Sequence, residues 1–473
     1  ARRLSGLIAA VFMLVAAVPL TVNLSGKDGL SAREFTAVLT AESTWRRYVA
    51  LAADGYTLDR LVPTLHDEPV LDRPPGLTWL QILAIGPPHP RNPVAAALLL
   101  RARLVSVIMT LVAVGSVFWA GSQLGGLGTA CLGALVFLAN PLWIVYGRSA
   151  TPEAPAVGFA LLAAAAALWA MRPLRPVAGL ARQIVGFGVC GLALGAAALV
   201  GGPAVNAAIL IPLVLMALFC PRRTGHVLGL AAAGALALLI TVPWVLYGYQ
   251  QASPPAVGGW RGLVGATWPS AVSTASDAVR LVSRRGFALV ISGGIWSLVI
   301  GAAVLAPWVI RGEQARRRVT MTWAWGVAAT VLALFGPAWL NTDGEGWAVG
   351  VLLATAALAL VAAQLLAYAA TRADRLHLAG AWRMVRWPTV AATLVGSVAL
   401  PWWWLRSATP PTAGLASPYA IVIGGALLFA VALAGARSAR AAFPGHAALA
   451  WALWTVTATT LAVAQPGHRT WAA

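Results

Sequence analysis

Charged residues are scarce in this sequence. Asp, Glu, Lys and Arg make up 10% of its 473 residues, whereas 60% are hydrophobic. An ordinary soluble domain has about a quarter of its residues charged. A soluble fold could not cover so much apolar surface, and the composition therefore excludes a soluble enzyme, a disordered tail and a disulfide-rich secreted domain. It predicts an all-α polytopic membrane protein, with room for about thirteen helices of ~20 residues.

Cysteines and cofactor motifs are also rare. Cys131, Cys190 and Cys220 lie in or at the ends of apolar runs, without a CxxC pattern, and are expected to be core residues. His66 and His89 lack the paired spacing of metal ligands, so the sequence predicts no metal site. It contains no Walker loop, dinucleotide fingerprint or nucleophile elbow, which argues against a nucleotide-sugar substrate from the cytoplasm.

The apolar runs predict thirteen membrane spans separated by short connectors, apart from two longer outer segments, 25–100 and 248–285. Within the first of these, Gly76–Gly86 is apolar but too short to cross the bilayer, and we expect it to lie at the membrane surface. Long loops on one face of a bundle commonly carry function. The spans are placed near 5–24, 102–121, 126–146, 155–171, 184–201, 204–220, 226–247, 286–310, 320–339, 346–370, 388–405, 418–436 and 446–464.

The distribution of charge predicts the orientation. If the N-terminus is cytoplasmic, the cytoplasmic segments carry 17 of the 33 cations and only two acids, whereas the outer segments carry 16 cations and 12 acids. Cytoplasmic loops of membrane proteins are enriched in Lys and Arg. We therefore expect a multi-pass cell-membrane protein with a cytoplasmic N-terminus and a functional face outside the cytoplasm. The net charge of +19 then reflects topology rather than a nucleic-acid partner.

Eight of the 14 acids fall in the first outer loop, together with seven cations. Such a loop can be a solvated face. It can also form a site in which a carboxylate accepts a proton from an acceptor while Arg holds a departing phosphate. The second outer loop also has two interpretations. Its Arg280, Arg284 and Arg285 can extend to the phosphates of bulk lipids, or they can bind a lipid-linked sugar phosphate.

The sharpest motif is Asp72-Arg73-Pro74-Pro75, which is followed by the apolar run Gly76-Leu-Thr-Trp-Leu80. It resembles the Glu-Lys-Pro-Pro-Leu-x-Tyr-Trp-Leu signature of lipid-linked sugar transferases of the GT-C fold, in the group similar to aminoarabinose transferases and protein O-mannosyltransferases. Other stretches resemble this family in the same order along the chain: Arg101-Ala-Arg103-Leu-Val-Ser, Asn140 to Glu153, Gly191-Leu-Ala-Leu-Gly195, Gly201-Gly202-Pro203 and Val242-Pro243-Trp244.

The resemblance covers residues 1–250 and implies a GT-C-like transmembrane module there, with 251–473 forming further transmembrane helices. It implies a polyprenyl-phosphate sugar donor, membrane lipids as partners, and an acceptor that is a cell-envelope glycan, lipid or protein. Asp72, Arg73, Arg148 and Glu153 match positions expected to bind substrate. Some GT-C enzymes use a divalent metal and others do not, so the resemblance leaves the cofactor open.

One departure concerns the catalytic base. The family carries Asp-Glu after its first span, whereas this chain has Arg33-Glu34. The base is then expected to be Glu34 or Asp28, or to be absent. In the last case the chain would be a non-catalytic subunit that binds lipid or other membrane subunits. A lipid or glycan transporter is a further alternative, although it would need charges inside the spans, and the predicted spans contain almost none.

Overall fold

The computed structural model describes single positions between residues 8 and 24, and then residues 32–50, 62–65, 68–70, 74–86, 95–138, 142–172, 176–218, 223–251, 306–310, 313–335 and 347–372. These ranges contain twelve helices and one two-stranded antiparallel hairpin. The chain is therefore an all-α polytopic protein, as the composition predicts.

The first outer loop contributes two helices and the hairpin. These are α1 (Ala32–Ala50), β1 (Thr64–Leu65), β2 (Glu68–Pro69) and α2 (Gly76–Ile85). The remaining helices are α3 (Ala95–Gly125), α4 (Leu127–Leu138), α5 (Leu142–Gly147), α6 (Glu153–Met171), α7 (Pro176–Gly201), α8 (Pro203–Leu218), α9 (Arg223–Gln251), α10 (Ala306–Val309), α11 (Glu313–Phe335) and α12 (Trp347–Arg372).

Five of the described helices are long and apolar enough to cross a membrane, and they lie in α3, α6, α7, α9 and α12. Helix α3 begins at Ala95 rather than near residue 102, because the run Ala95-Ala-Ala-Leu-Leu-Leu100 consists of strong helix formers. Its 31 residues span roughly 46 Å at 1.5 Å per residue, which exceeds the ~30 Å hydrocarbon core. The helix therefore extends past the apolar layer.

Within the predicted span 126–146 the structure describes two helices, α4 and α5. Pro141 falls between them in the sequence, and proline removes a helical hydrogen bond and disfavours helical geometry at the residue before it. At 12 residues, α4 is shorter than a membrane span. The predicted spans 388–405, 418–436 and 446–464 and most of 286–310 lie outside the described residues, and only single positions of 5–24 are described. The count of thirteen stays a prediction, as does the division at residue 250.

Close contacts at glycines show which helices are neighbours and in which relative direction they lie. On α6, Gly158 faces α3, where an added Cβ would lie 2.6 Å from the carbonyl oxygen of Met109. On α7, Gly186 faces Ala170 of α6, so that α6 and α7 are antiparallel. Small residues allow membrane helices to approach this closely, and dispersion contacts then hold them together.

Helices α6 and α12 are the most enclosed of the candidate spans, with 83% and 94% of their most apolar windows buried. Around them the chain alternates direction. The starts of α3, α6, α8 and α12 lie at one end of the bundle, which we call the Glu34 end. The ends of α3 and α6 and the starts of α7, α9 and α11 lie at the other, which we call the Arg172 end.

Candidate functional site

A buried ion pair marks the Glu34 end. Glu34 lies in the first turn of α1, and Arg103 lies in α3, 69 residues further along the chain. The Nε of Arg103 donates to Oε1 of Glu34 at 2.6 Å, and its Nη2 donates to Oε2 at 3.0 Å. The two residues are 1% and 7% exposed. Such a two-point contact fixes both the distance and the orientation of the carboxylate.

The same carboxylate holds the turn between α5 and α6. The backbone N–H of Ala150 donates to Oε1 of Glu34 at 2.8 Å, and the Nε2 of Gln81 donates to the Ala150 carbonyl at 3.1 Å. The Nη1 of Arg103 donates to the carbonyl of Leu24 at 2.8 Å. This network, which we call the Ala150 clamp, consists of Glu34, Arg103, Gln81 and the Ala150 peptide, and it joins α1, α2 and α3 to the 148–152 turn.

Helix α2 is held in this position by contacts at both of its ends. It starts directly after Pro74-Pro75, and Gly76 packs so closely on α7 that an added Cβ would lie 2.7 Å from the Leu199 carbonyl oxygen. At its C-terminal end, Arg101 of α3 donates to the carbonyl of Ile85, which is otherwise left unpaired by the helix end. The short apolar run predicted at the membrane surface is therefore a helix that packs against α1, α3 and α7.

Arg148 provides a second cation beside the clamp. It is half-buried in the turn after α5, two residues before Ala150. Burial, and to a lesser degree the charge of Arg103, lower the pKa of its guanidinium to about 10. The side chain stays protonated at neutral pH, and an approaching phosphate would offset both causes of the shift.

Glu153 begins α6 immediately after this turn and is 1% exposed. A carboxylate in the first turn of a helix is stabilised by the helix dipole. Within the turn itself, the hydroxyls of Ser149 and Thr151 are 2.9 Å apart, and Ser149 also donates to the Tyr146 carbonyl. The turn that carries Arg148 is thus held from within as well as by the clamp.

The structure brings together three of the residues that the sequence singles out, namely Glu34, Arg148 and Glu153. The remaining predicted site residues lie outside the described ranges: Asp28, Asp72, Arg73, Arg280, Arg284 and Arg285. Among the residues that the structure describes, no three His, Cys, Asp or Glu side chains group as metal ligands would.

Arg103 and Gln81 join the site although the sequence analysis gave them no role. For Arg103 a signal was present, because a cation within an apolar run is costly and requires a partner. Gln81 had a weaker one, since it is the single strongly polar side chain of Gly76–Ile85. Neither signal predicts which residue the side chain contacts.

No known family model and no curated protein matches the sequence. The structure is similar to ArnT from Cupriavidus metallidurans bound to undecaprenyl phosphate, with a TM-score of 0.65 and 18% identity over 98% of this chain and 78% of that one. For the apo state of the same protein the TM-score is 0.63, with 18% identity over 97% and 77% of the two chains. An oligosaccharyltransferase from Archaeoglobus fulgidus matches at a TM-score of 0.48 and 11% identity, over 88% of this chain and 59% of that one.

The likeness to ArnT extends over almost the whole chain and confirms the GT-C-like fold that the sequence motifs predict. It includes the part beyond residue 250, where no motif was recognised. At 18% identity the likeness establishes the fold, and the chemistry has to be argued from the residues of the Glu34 end.

Proposed function

We propose that this chain is a membrane glycosyltransferase of the GT-C type that transfers a sugar from a polyprenyl-phosphate donor. The acceptor would be a cell-envelope glycan, lipid or protein on the extracytoplasmic face. The observation that carries the proposal is the likeness over 98% of the chain to ArnT bound to undecaprenyl phosphate. Arg148, the cation beside the Ala150 clamp, fits that donor chemistry.

In the proposed reaction, an acceptor hydroxyl attacks the anomeric carbon of the sugar while the bond from that carbon to the phosphate oxygen breaks. The phosphate leaves on the polyprenyl lipid with an added negative charge, and a base removes the acceptor proton. Arg148 is proposed to bind this phosphate together with Arg73, because guanidinium groups match phosphate oxygens in geometry and charge. Asp72 and Glu153 are proposed to bind the sugar, and Arg280, Arg284 and Arg285 the lipid phosphate from the second outer loop.

The base is proposed to be one of two carboxylates, Glu34 or Asp28. Oε1 of Glu34 already accepts hydrogen bonds from Arg103 and Ala150, and Oε2 accepts one from Arg103, so most of the accepting positions of this carboxylate are in use. This geometry suits a group that positions the 148–152 turn. Asp28 lies six residues earlier in the sequence and becomes the stronger candidate for proton transfer.

A transfer assay with the purified protein separates these roles. The assay would use proteoliposomes containing labelled polyprenyl-phosphate sugars extracted from the source membranes. Replacing the true base, by Asp28→Asn or Glu34→Gln, should lower turnover by a factor on the order of 10² while donor binding survives. The pH dependence of turnover gives a second measurement. Loss of the base removes the rise in turnover that reports its deprotonation, whereas loss of a positioning group leaves that rise in place.

Binding of the donor lipid can be tested independently of turnover. Undecaprenyl phosphate should bind the wild-type protein in native mass spectrometry, and undecaprenol, which lacks the phosphate, should not. Arg148→Gln should weaken binding about tenfold, as expected for one charge-assisted contact. Arg46→Gln is the matched control, because Arg46 is an exposed cation at the same end whose side chain is 63% exposed. Equal binding of undecaprenol would contradict the proposal.

A second candidate function is a non-catalytic GT-C-like subunit that binds the lipid or a partner protein. Two observations favour it: Arg33 stands where the family has its Asp, and Glu34 is held in the clamp. It becomes the better description if Asp28→Asn and Glu34→Gln both leave the cellular product unchanged while deletion of the protein abolishes it.

A further inference from the structure

The Arg172 end of the bundle has a strong excess of positive charge. Among the described residues at this end, the only acid is Glu313, at the start of α11. The other four described acids, Glu34, Glu42, Glu68 and Glu153, belong to the first loop or to the start of α6 at the opposite end. The arginine positions on the described segments at this end are 172, 182, 223, 316, 317, 318 and 372.

Two of these cations donate hydrogen bonds to residues at the C-terminal end of α3. The Nη1 of Arg172 donates to Oε1 of Gln123 at 3.2 Å, and the Nη1 of Arg318 donates to the carbonyl of Leu124 at 3.3 Å. The C-terminal end of a helix has unpaired carbonyls and a partial negative charge, which favour cations. These contacts hold α6 and α11 against α3 and use one nitrogen of each guanidinium group, so the other nitrogens of Arg172 remain available to a ligand.

Arg182 on α7 differs from them. It is 8% exposed, and its Nε is buried without a hydrogen-bond partner among the described residues. One turn further along α7, Gly186 packs on Ala170, so Arg182 lies beside the end of α6. Arg172 directly follows the end of α6 there, and its positive charge repels that of Arg182. A guanidinium with a buried, unused Nε donor and a cationic neighbour is unfavourable unless an anion is bound.

We infer that Arg172 and Arg182 form a binding site for the phosphate of an anionic phospholipid. The apolar part of α6 ends at Met171 and that of α7 starts at Gly179, so both side chains lie at the depth where a bilayer has its phosphates. The start of α7 at Pro176 adds unpaired backbone N–H groups, which favour anions. Basic pockets between membrane helices on the cytoplasmic side bind such headgroups, and the Arg172 end is the predicted cytoplasmic end.

This site is separate from the proposed donor site. The 19 residues of α6 lie between Glu153 and the Arg172 end, a distance of roughly 28 Å along the helix. The ligand is therefore a phospholipid of the predicted inner leaflet, and its phosphate would tie α6 to α7 beside the end of α3. Its binding does not depend on sugar transfer.

The test is titration of the delipidated, purified full chain with phosphatidylglycerol, followed by native mass spectrometry. We expect saturable retention of phosphatidylglycerol, with much weaker retention of zwitterionic phosphatidylcholine. Arg182→Gln and Arg172→Gln should each weaken it about tenfold, since each removes a charge-assisted contact. Arg316→Gln is the matched control, because it removes the same charge from an exposed side chain at the same end.

Four results would overturn the inference. The two variants could retain phosphatidylglycerol as the wild type does, or Arg316→Gln could weaken it equally, which would show general attraction to anionic lipid. Inorganic phosphate at millimolar concentration could displace the lipid, which would identify a soluble-anion site. Undecaprenyl phosphate could compete equally, which would identify a second donor-lipid site. If Arg182→Gln does not fold, Arg172→Gln decides the question, because the Arg172 side chain is exposed.

Discussion

The carboxylate of Glu34 is stable in its buried position only while Arg103 neutralises it. Arg103→Ala would leave a charge that is 1% exposed without its main partner, and loss of one member of a buried pair typically costs about 3–5 kcal/mol. We expect the free energy of unfolding in detergent to fall by that order, as measured by denaturant titration. The 148–152 turn should loosen at the same time, which hydrogen exchange at Ala150 would detect.

Arg46→Ala is the control for this prediction. Arg46 forms an ion pair with Glu42 at the same 2.6 Å as the buried pair, but its side chain is 63% exposed. Exposed pairs one helical turn apart contribute about 0–1 kcal/mol, because water and salt screen them. If both variants lose the same stability, burial is not what gives the Glu34–Arg103 pair its strength.

Individual site residues were accessible from the sequence to different degrees. Glu34, Arg148 and Glu153 could be selected because each belongs to a motif with a fixed order along the chain. The partner of Glu34 could not be selected, since Arg103 lies 69 residues away and several outer cations were equally eligible. The sequence also could not predict that the Arg182 Nε lacks a hydrogen-bond partner among the described residues, because this depends on which helices pack around it.

Among the helices, the close approach of α6 to α3 can be tested by a single substitution. Gly158→Ala would place a Cβ 2.6 Å from the Met109 carbonyl oxygen, and backbone on both sides would have to move. Overpacking of this kind costs about 1–3 kcal/mol. We expect a lower melting temperature in detergent and a smaller folded fraction after extraction.

Gly188→Ala is the matched substitution on α7. An added Cβ there meets nothing within 4 Å, so only the helix propensity changes. Alanine is favoured over glycine in a helix by about 1 kcal/mol, and stability should stay the same or rise. A loss of stability at both positions would mean that glycine is needed for a reason other than packing.

At the scale of the whole molecule, the segregation of charge predicts orientation. The described acids of the first loop and Glu153 lie at the Glu34 end, and the arginines that follow α6 and begin α11 lie at the Arg172 end. A reporter fused near residue 315 should therefore be cytoplasmic, and one near residue 265 should be outside. Placement of both reporters on one side of the membrane would refute the predicted topology between these positions.

The sequence by itself determined the class of the protein and its fold. The many apolar runs of about 20 residues exceed what a soluble core can bury, and ordered motifs such as Asp72-Arg73-Pro74-Pro75 indicated the GT-C arrangement that the ArnT likeness confirms. Hydropathy is a local property, and among the described helices it placed α6, α8, α9 and α12 within a few residues. Within the predicted span 126–146 it did not separate α4 from α5, which the structure describes as two helices.

Only the tertiary structure decided which charges meet. Glu34 pairs with Arg103, and its oxygen holds the Ala150 peptide, because α1 is folded over the start of α3. Arg182 has no carboxylate beside it among the described residues, because α6 presents Arg172 there instead. The free energy of a charge depends on what lies within a few ångströms of it, and helix packing brings residues from distant parts of the sequence into that range.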